Sequence, residues 1–401
     1  MLITALSLVI ALGMVFFPDL YPINLNFTGL SILITLIGVA ILFSYTLINS
    51  ILFIPIQRLE QKLIPGLMGI FHYNKKWRIS RLIVFLFSFV TFILALVFAS
   101  VDIPEKHFYM AVWILGLGIS IDLIRDSLKQ ATEVLNPLNA VEQIKDDAIQ
   151  AIKNSDDKLL WSSIDALSEI ALRSAETSKI ALCTTTLNTF PPILRAFFDA
   201  SKSISHRSQD AEIEKNTGVD EASYTIFYML QRLELVNSKA LQNNLTSICN
   251  QIITVLGKII LHCAQLDLSL VTFPTHVLGK FALKALQLRF DDVAAIATST
   301  LLATTKTIVN EVDLTYMELV EPFNTITDNL DAIAQSTFKK DKTINIKLIS
   351  QSLKDLKEVY QSERLANHRD TSVIIQHVDN KLAEFDALEQ IMHTIPSIPN
   401  L

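Results

Sequence analysis

Residues 75–101 read KKWRISRLIVFLFSFVTFILALVFASV, and the rest of the chain is best understood from this stretch outward. A helix rises about 1.5 Å per residue, so about 20 apolar residues cross the roughly 30 Å hydrocarbon layer of a bilayer. Residues 82–101 meet that length without a charged side chain, which predicts a membrane-spanning helix. Just ahead of it, Lys75, Lys76, Trp77, Arg78 and Arg81 form a basic and aromatic cluster. That chemistry suits the headgroup layer, where tryptophan anchors a helix and cations meet anionic lipid.

Three further apolar stretches, 2–17, 27–56 and 108–124, bring the expected number of spans in residues 1–125 to about four. The first has the length of a secretory signal core, yet no basic residue precedes it and no A-x-A site stands before Pro18, so it reads as a retained span. The second is longer than a crossing needs and must tilt, kink at Pro55 or run on beyond the bilayer. The last is short, and Asp122 with Arg125 one turn later fits an ion pair in the headgroup region.

Charge between the spans sets an expected orientation. The loop 57–81 carries Arg58, Lys62, Lys75, Lys76, Arg78 and Arg81, whereas 18–26 has no basic residue and 102–107 has only Lys106. The positive-inside rule puts the loop in the cytoplasm, and four crossings put both termini there as well, at the inner membrane if the source is bacterial. The loop itself, apolar at Leu59, Leu63, Ile64, Leu67 and Phe71, suits a helix lying in the headgroup layer and broken at Pro65-Gly66.

Beyond residue 125 the composition changes. Of the 34 Lys/Arg and 40 Asp/Glu in the chain, all but seven and five respectively follow Ile124, so this part is acidic and unsuited to nucleic acid. Only Gly218, Gly257 and Gly279 lie past Gly118, too few for the turns of a sheet protein. The fold class expected is therefore all-α: N-terminal transmembrane helices followed by a large cytoplasmic helical bundle or irregular α-solenoid. Residues 126–200 form a first helical part, with starts at Asn136-Pro137 and Asp156-Asp157 and a break at Phe190-Pro191-Pro192. A polar stretch, 201–222, reads as an exposed loop. A second helical part, 223–394, contains segments 239–266, 272–290 and 291–312, and ends in an antiparallel pair, 343–365 and 368–392. Residues 395–401 form a tail. No sequence motif repeats along the chain.

Chemical signatures are scarce. Cys183, Cys249 and Cys263 occur in no CxxC and read as buried thiols, and the eight histidines show no ligand spacing. Phosphate-binding glycine loops and GxSxG are missing from the sequence, so no catalytic, cofactor or metal site is expected. The Thr-rich run 298–307 reads as tight helix packing, and Gly116 and Gly118 as close helix contact. In the second span Ser44, Thr46, Asn49 and Ser50 are suited either to inter-helix hydrogen bonds or to lining a pore shared by several copies. These features point first to a membrane-tethered scaffold that binds other proteins and associates with itself. The alternative is a homo-oligomeric channel or transporter lined by the second span, and an enzyme is the least supported class.

Overall fold

The computed structural model describes residues 2–16, 27–62, 75–100, 106–205, 211–341 and 344–394. Every regular element among them is helical. The chain divides into two units, Met1–Ala140 and Val141–Leu401.

In the first unit, α1 (Leu2–Phe16), α2 (Phe27–Lys62), α3 (Lys75–Ser100) and α4 (Lys106–Val134) follow one another. Helix α1 lies on α4, α2 lies on α3, and α4 also touches α2 and α3. Three of these helices contain segments long and apolar enough to cross a membrane: Gly29–Arg58, Arg78–Ala99 and Phe108–Lys129. The excess length of the second span is taken up by continuation, because α2 runs through Pro55 to Lys62. Its 36 residues extend about 54 Å. Helix α1 has 15 residues and extends only about 22 Å. The expected break at Pro65-Gly66, the connection 18–26 and the tail 395–401 lie outside the described residues.

The remaining helix with the length and apolarity of a span is Thr246–Leu266, in the second unit. Its setting explains why. The second unit begins within α5 (Pro137–Lys153) and continues as α6 (Asp157–Glu176), α7 (Ile180–Leu187), α8 (Phe190–Ser205), α9 (Ala211–Gln242) and α10 (Thr246–Leu266). A short 3-10 turn, Leu268–Val271, leads into α11 (Thr272–Gln287), α12 (Asp291–Glu311) and α13 (Val320–Lys340). Helices α14 (Ile346–Ile349), α15 (Gln351–Tyr360) and α16 (Thr371–Thr394) complete it.

Contacts order these helices into two rows. One row runs α6, α9, α11, α13, α16 and the other α7, α10, α12, α15, with each helix packed on the next in its row. Across the rows α6 meets α7, α9 meets α10, α11 meets α12 and α15 meets α16, while α8 touches both α9 and α10. This is the connectivity of a helix-pair solenoid, in which each pair buries its apolar faces on its neighbours. Helix α10 is touched by α7, α8, α9, α11 and α12, so Ile248, Ile252, Ile253, Leu256, Ile259 and Ile260 are all buried. Protein supplies the apolar surroundings that its composition requires.

A recurring geometry links several pairs. Ser155, Ser178, Asn244 and Arg289 have φ of 53°, 55°, 55° and 67°, and each stands just past a helix end. The next residue's N–H then reaches back five positions: Asp156 to Ala151 (2.9 Å), Lys179 to Ser174 (2.8 Å), Leu245 to Ala240 (2.8 Å) and Phe290 to Ala285 (2.9 Å). These are Schellman closures, which satisfy carbonyls that a helix end leaves open. In each case the accepting residue is small and buried, which brings the turn close to the core.

Three sequence expectations are corrected here. Within 201–222 the described residues are helical: α8 reaches Ser205 and α9 begins at Ala211. The absence of apolar periodicity was taken for absence of helix, but Ala211, Glu212, Glu214 and Lys215 are good helix formers, and Gly218 costs only about 1 kcal/mol. The segment 239–266 is two helices, not one, because Asn244 turns left-handed between α9 and α10. The C-terminal segment 343–365 is likewise divided, with Ser350 between α14 and α15. The Thr-rich run does pack tightly: a Cβ on Gly257 of α10 would stand 2.6 Å from Thr300 Cγ2 of α12.

Candidate functional site

The first unit exposes large apolar side chains while burying hydroxyls alongside its apolar core. Thr91 and Ser120 are 0% exposed, whereas Leu36 and Leu86 are 63% and 56% exposed. Several of the interior polar groups are hydrogen-bonded within the protein. Trp113 Nε1 donates to Thr91 Oγ1 (3.2 Å), which donates to the Phe87 carbonyl (2.8 Å), and Ser31 Oγ of α2 donates to the Ala95 carbonyl of α3 (2.8 Å). Ser88 and Ser120 donate to carbonyls one turn back, at 3.0 and 2.8 Å. A surface of Leu, Ile and Phe, with hydroxyls turned inward and bonded between or along helices, is what a lipid solvent selects.

The buried carboxylate Asp122 has a local role. The Asp122 carboxylate of α4 accepts hydrogen bonds from Thr4 N–H (2.9 Å) and Thr4 Oγ1 (2.6 Å). Thr4 lies in the first turn of α1, whose backbone donors have no partner within the helix, so Asp122 acts on α1 as an N-cap supplied by another helix. A pair between Asp122 and Arg125 is not among the ion pairs of the described residues. The adjoining GxG is explained by contact on two sides: a Cβ on Gly118 would lie 2.0 Å from Ser7 Oγ, and one on Gly116 would lie 2.7 Å from Phe87.

Packing also fixes which ends lie together. Leu30, Ala95 and Met110 meet in one cluster and Tyr45, Val84 and Ile124 in another. Arg58, Arg78, Arg81 and Arg125 all fall beyond the second cluster, so the basic residues gather at one end of the helices. The Thr4 contact brings the start of α1 to that end too.

The residues singled out in α2 do not share one face. Helical spacing of about 100° per residue sets Ser44 about 160° from Thr46. Thr46, Asn49 and Ser50 each donate to the carbonyl four residues back, at 2.7, 3.0 and 2.9 Å. Thr46 and Ser50 are exposed, away from the buried stripe of Leu30, Ile34, Ile41, Tyr45 and Ile56. Of the basic cluster, Arg78 and Arg81 are exposed and line a cavity of about 660 Å³ with Ile79, Leu82 and Phe85. The side chains of Lys75, Lys76 and Trp77 lie outside the described residues, although α3 begins at Lys75.

The chain matches no family model, no curated protein and no solved structure. Its functional surfaces therefore have to be read from their chemistry.

On the second unit the most distinctive surface crosses α6, α9 and α11. Tyr224, Phe227, Tyr228 and Leu235 lie along one outward stripe of α9, opposite the buried Ile226, Met229, Leu230 and Leu233. Trp161 of α6 meets Tyr224 and Tyr228 edge-on, with ring centroids 5.5 and 5.1 Å away. Phe273 of α11 stacks on Phe227 at 5.2 Å. Arg232 lies 5.0 Å over the Tyr228 ring and binds Asp165 Oδ1 at 2.6 Å, while Tyr228 OH donates to the same carboxylate. Exposed Tyr224 and Phe227 with half-buried Trp161 and Tyr228 beside a held Arg give the composition enriched at the energetic centres of protein interfaces. The sequence carried a signal for it, the i, i+3, i+4 spacing of Tyr224, Phe227 and Tyr228, which the core face of the same helix overshadowed.

A smaller cavity of about 250 Å³ is lined by polar Asp313, Thr315, Arg364, Asn367 and His368 beside Val309, Val312 and Leu314. Its charged groups serve the backbone. Arg364 donates to the Val309 carbonyl (3.0 Å), Asp313 accepts from Thr315 N–H and Oγ1, and His368 Nδ1 accepts from Asp370 N–H (3.2 Å). These bonds hold the connections after α12 and α15. Among the described residues no group of three or more His, Cys, Asp or Glu is placed to hold a metal ion. The three thiols are buried, and burial pushes Cys183 and Cys249 up to about 12, which leaves them protonated and poorly nucleophilic at neutral pH.

Proposed function

We propose that the protein is a membrane-tethered helical scaffold. Helices α1–α4 sit in the bilayer with the Arg58, Arg78 and Arg81 end at the cytoplasmic face, and the two-row stack meets a protein partner through the stripe of Trp161, Tyr224, Phe227, Tyr228 and Phe273. The observation that carries this reading is the opposite side-chain order of the two units. Leu36 and Leu86 face outward around buried Thr91 and Ser120 in the first, whereas Leu256 and Ile260 are buried in the second. One part is built for lipid and the other for water. The exposed aromatic surface of the second is built for contact.

A photo-crosslinking residue at the exposed Gln231, in the full-length protein in its native membrane, tests the reading. A discrete crosslinked protein that disappears with Tyr224→Ser/Phe227→Ser, while the thermal melt is unchanged, is the expected result. Loss of no crosslink on that change would remove the stripe as the partner surface.

The channel reading retains one observation, the exposed Thr46 and Ser50 on the outer side of α2, where a second copy could meet them. Ion flux from liposomes that responds to Asn49→Leu would favour it over the scaffold. The back-bonding of both hydroxyls to their own helix favours the scaffold, since they need no partner to lie in lipid.

A further inference from the structure

The cavity at the start of α3 has the chemistry of a lipid site, and its argument rests on the membrane reading above. Arg78 and Arg81 line it together with Ile79, Leu82 and Phe85. Successive residues on a helix turn by about 100°, so Arg78, Arg81, Leu82 and Phe85 fall within about 100° of one another. The same face continues down the helix through Phe89 and Leu96, both exposed. The face by which α3 packs on the protein is a different one, marked by the buried Ser80, Val84, Ser88 and Thr91. One strip of α3 is thus cationic for a single turn and apolar for the following turns.

Neither arginine forms an ion pair with any described residue, whereas about half of the described basic residues of the second unit have carboxylate partners, such as Lys239 with Glu176 and Lys357 with Asp379. A guanidinium presents a planar fork of donors that matches a phosphate bidentately. Two of them sit on the first exposed turn of a helix whose N-terminal amides also favour an anion. The apolar wall directly below supplies what a phosphate ion alone would not need and an acyl chain would.

We propose that Arg78 and Arg81 hold the phosphate of an anionic phospholipid whose acyl chain lies along Leu82, Phe85 and Phe89. The cavity would make α3 a point of lipid selection, with the preference for anionic over zwitterionic headgroups set by these two side chains. Basic residues near a membrane surface each favour anionic lipid by roughly fivefold, so the pair gives roughly twentyfold.

Native mass spectrometry of the full-length protein released from nanodiscs of equal phosphatidylglycerol and phosphatidylcholine tests the proposal. Wild type should carry one retained phosphatidylglycerol in strong preference to phosphatidylcholine. Arg78→Gln/Arg81→Gln should reduce that preference to near parity, and Arg58→Gln, a cation at the same end but outside the cavity, should leave it intact. Phe89→Ser should weaken retention of the lipid without altering headgroup preference, which separates the apolar wall from the charge. Incorporation with equal retention of both lipids by wild type would overturn the lipid site while leaving the membrane reading in place. Failure of wild type to enter nanodiscs would overturn the membrane reading itself. Displacement of the adduct by inorganic phosphate alone would show an anion site without a lipid requirement and would also overturn the proposal.

Discussion

Helices α3 and α10 are close in length and both are apolar enough to cross a membrane, yet they are buried very differently. Only 28% of the apolar window of Arg78–Ala99 is buried within the protein, against 61% for Thr246–Leu266. Composition alone does not separate a lipid-facing helix from a core helix. Arrangement does: α3 turns Ser88 and Thr91 inward and Leu86 outward, while α10 is apolar on every side that a neighbour covers. The first pattern answers a solvent without hydrogen bonds, and the second answers close protein contact on many sides.

The comparison breaks most visibly through truncation. Leu256→Ala on α10 should cost about 2–5 kcal/mol, because a fully buried leucine leaves a cavity. Leu86→Ala on α3, whose side chain meets lipid in this account, should cost under about 1 kcal/mol, since lipid closes over the change. Denaturant melts of the full chain in detergent, followed by tryptophan fluorescence, read both. Equal costs would make α3 a core helix as well.

Charge reverses the ranking. Leu86→Arg near the middle of α3 should disfavour insertion by about 2.5–3.5 kcal/mol, measured as the inserted fraction in microsomes. Leu348→Arg, at a side chain 72% exposed in the second unit, should stay within about 0.5 kcal/mol in a melt. Substitution at the tight crossing of α10 and α12 comes next. Gly257→Ala must displace Thr300 and should cost about 1–3 kcal/mol, with the same melt as the check.

A further effect is one of pH, and it belongs to the second unit, which holds all three cysteines. Burial raises their thiols, Cys183 and Cys249 to about 12 and Cys263 in the same direction. The folded chain therefore keeps protons that an unfolded chain releases above about pH 8.5. Stability from this source is full below that value and declines as pH rises past it. Melts between pH 7 and 10 should show the second unit weakening while Cys→Ser variants flatten the slope. Iodoacetamide at pH 8 should label none of the three until the unit unfolds.

Much of this organisation could be read from the chain. Apolar length pointed to 27–56, 82–101 and 108–124, and glycine scarcity pointed to helices. What could not be read has physical causes. The four Schellman turns place Ser, Ser, Asn and Arg at the left-handed position, so the geometry repeats without a repeated residue, and a search for sequence motifs passes over it. Helix α9 begins in a polar stretch because helix propensity does not require a packed face. Asp122 was read with Arg125, its neighbour in sequence, whereas its carboxylate is used by Thr4, far away in the chain and adjacent in space. The aromatic stripe was hidden because its spacing coincides with that of a core face, and only exposure distinguishes the two.

The central claim, that the two units answer different solvents, is tested most directly by spin labels on their outer faces. Labels at Leu36 and Leu86 and at Ile180 and Leu348, in the full-length protein in nanodiscs, would be compared for collision with oxygen and with a water-soluble nickel chelate. The account predicts high oxygen and low nickel accessibility at Leu36 and Leu86, and the reverse at Ile180 and Leu348. Equal nickel accessibility at all four positions would contradict it.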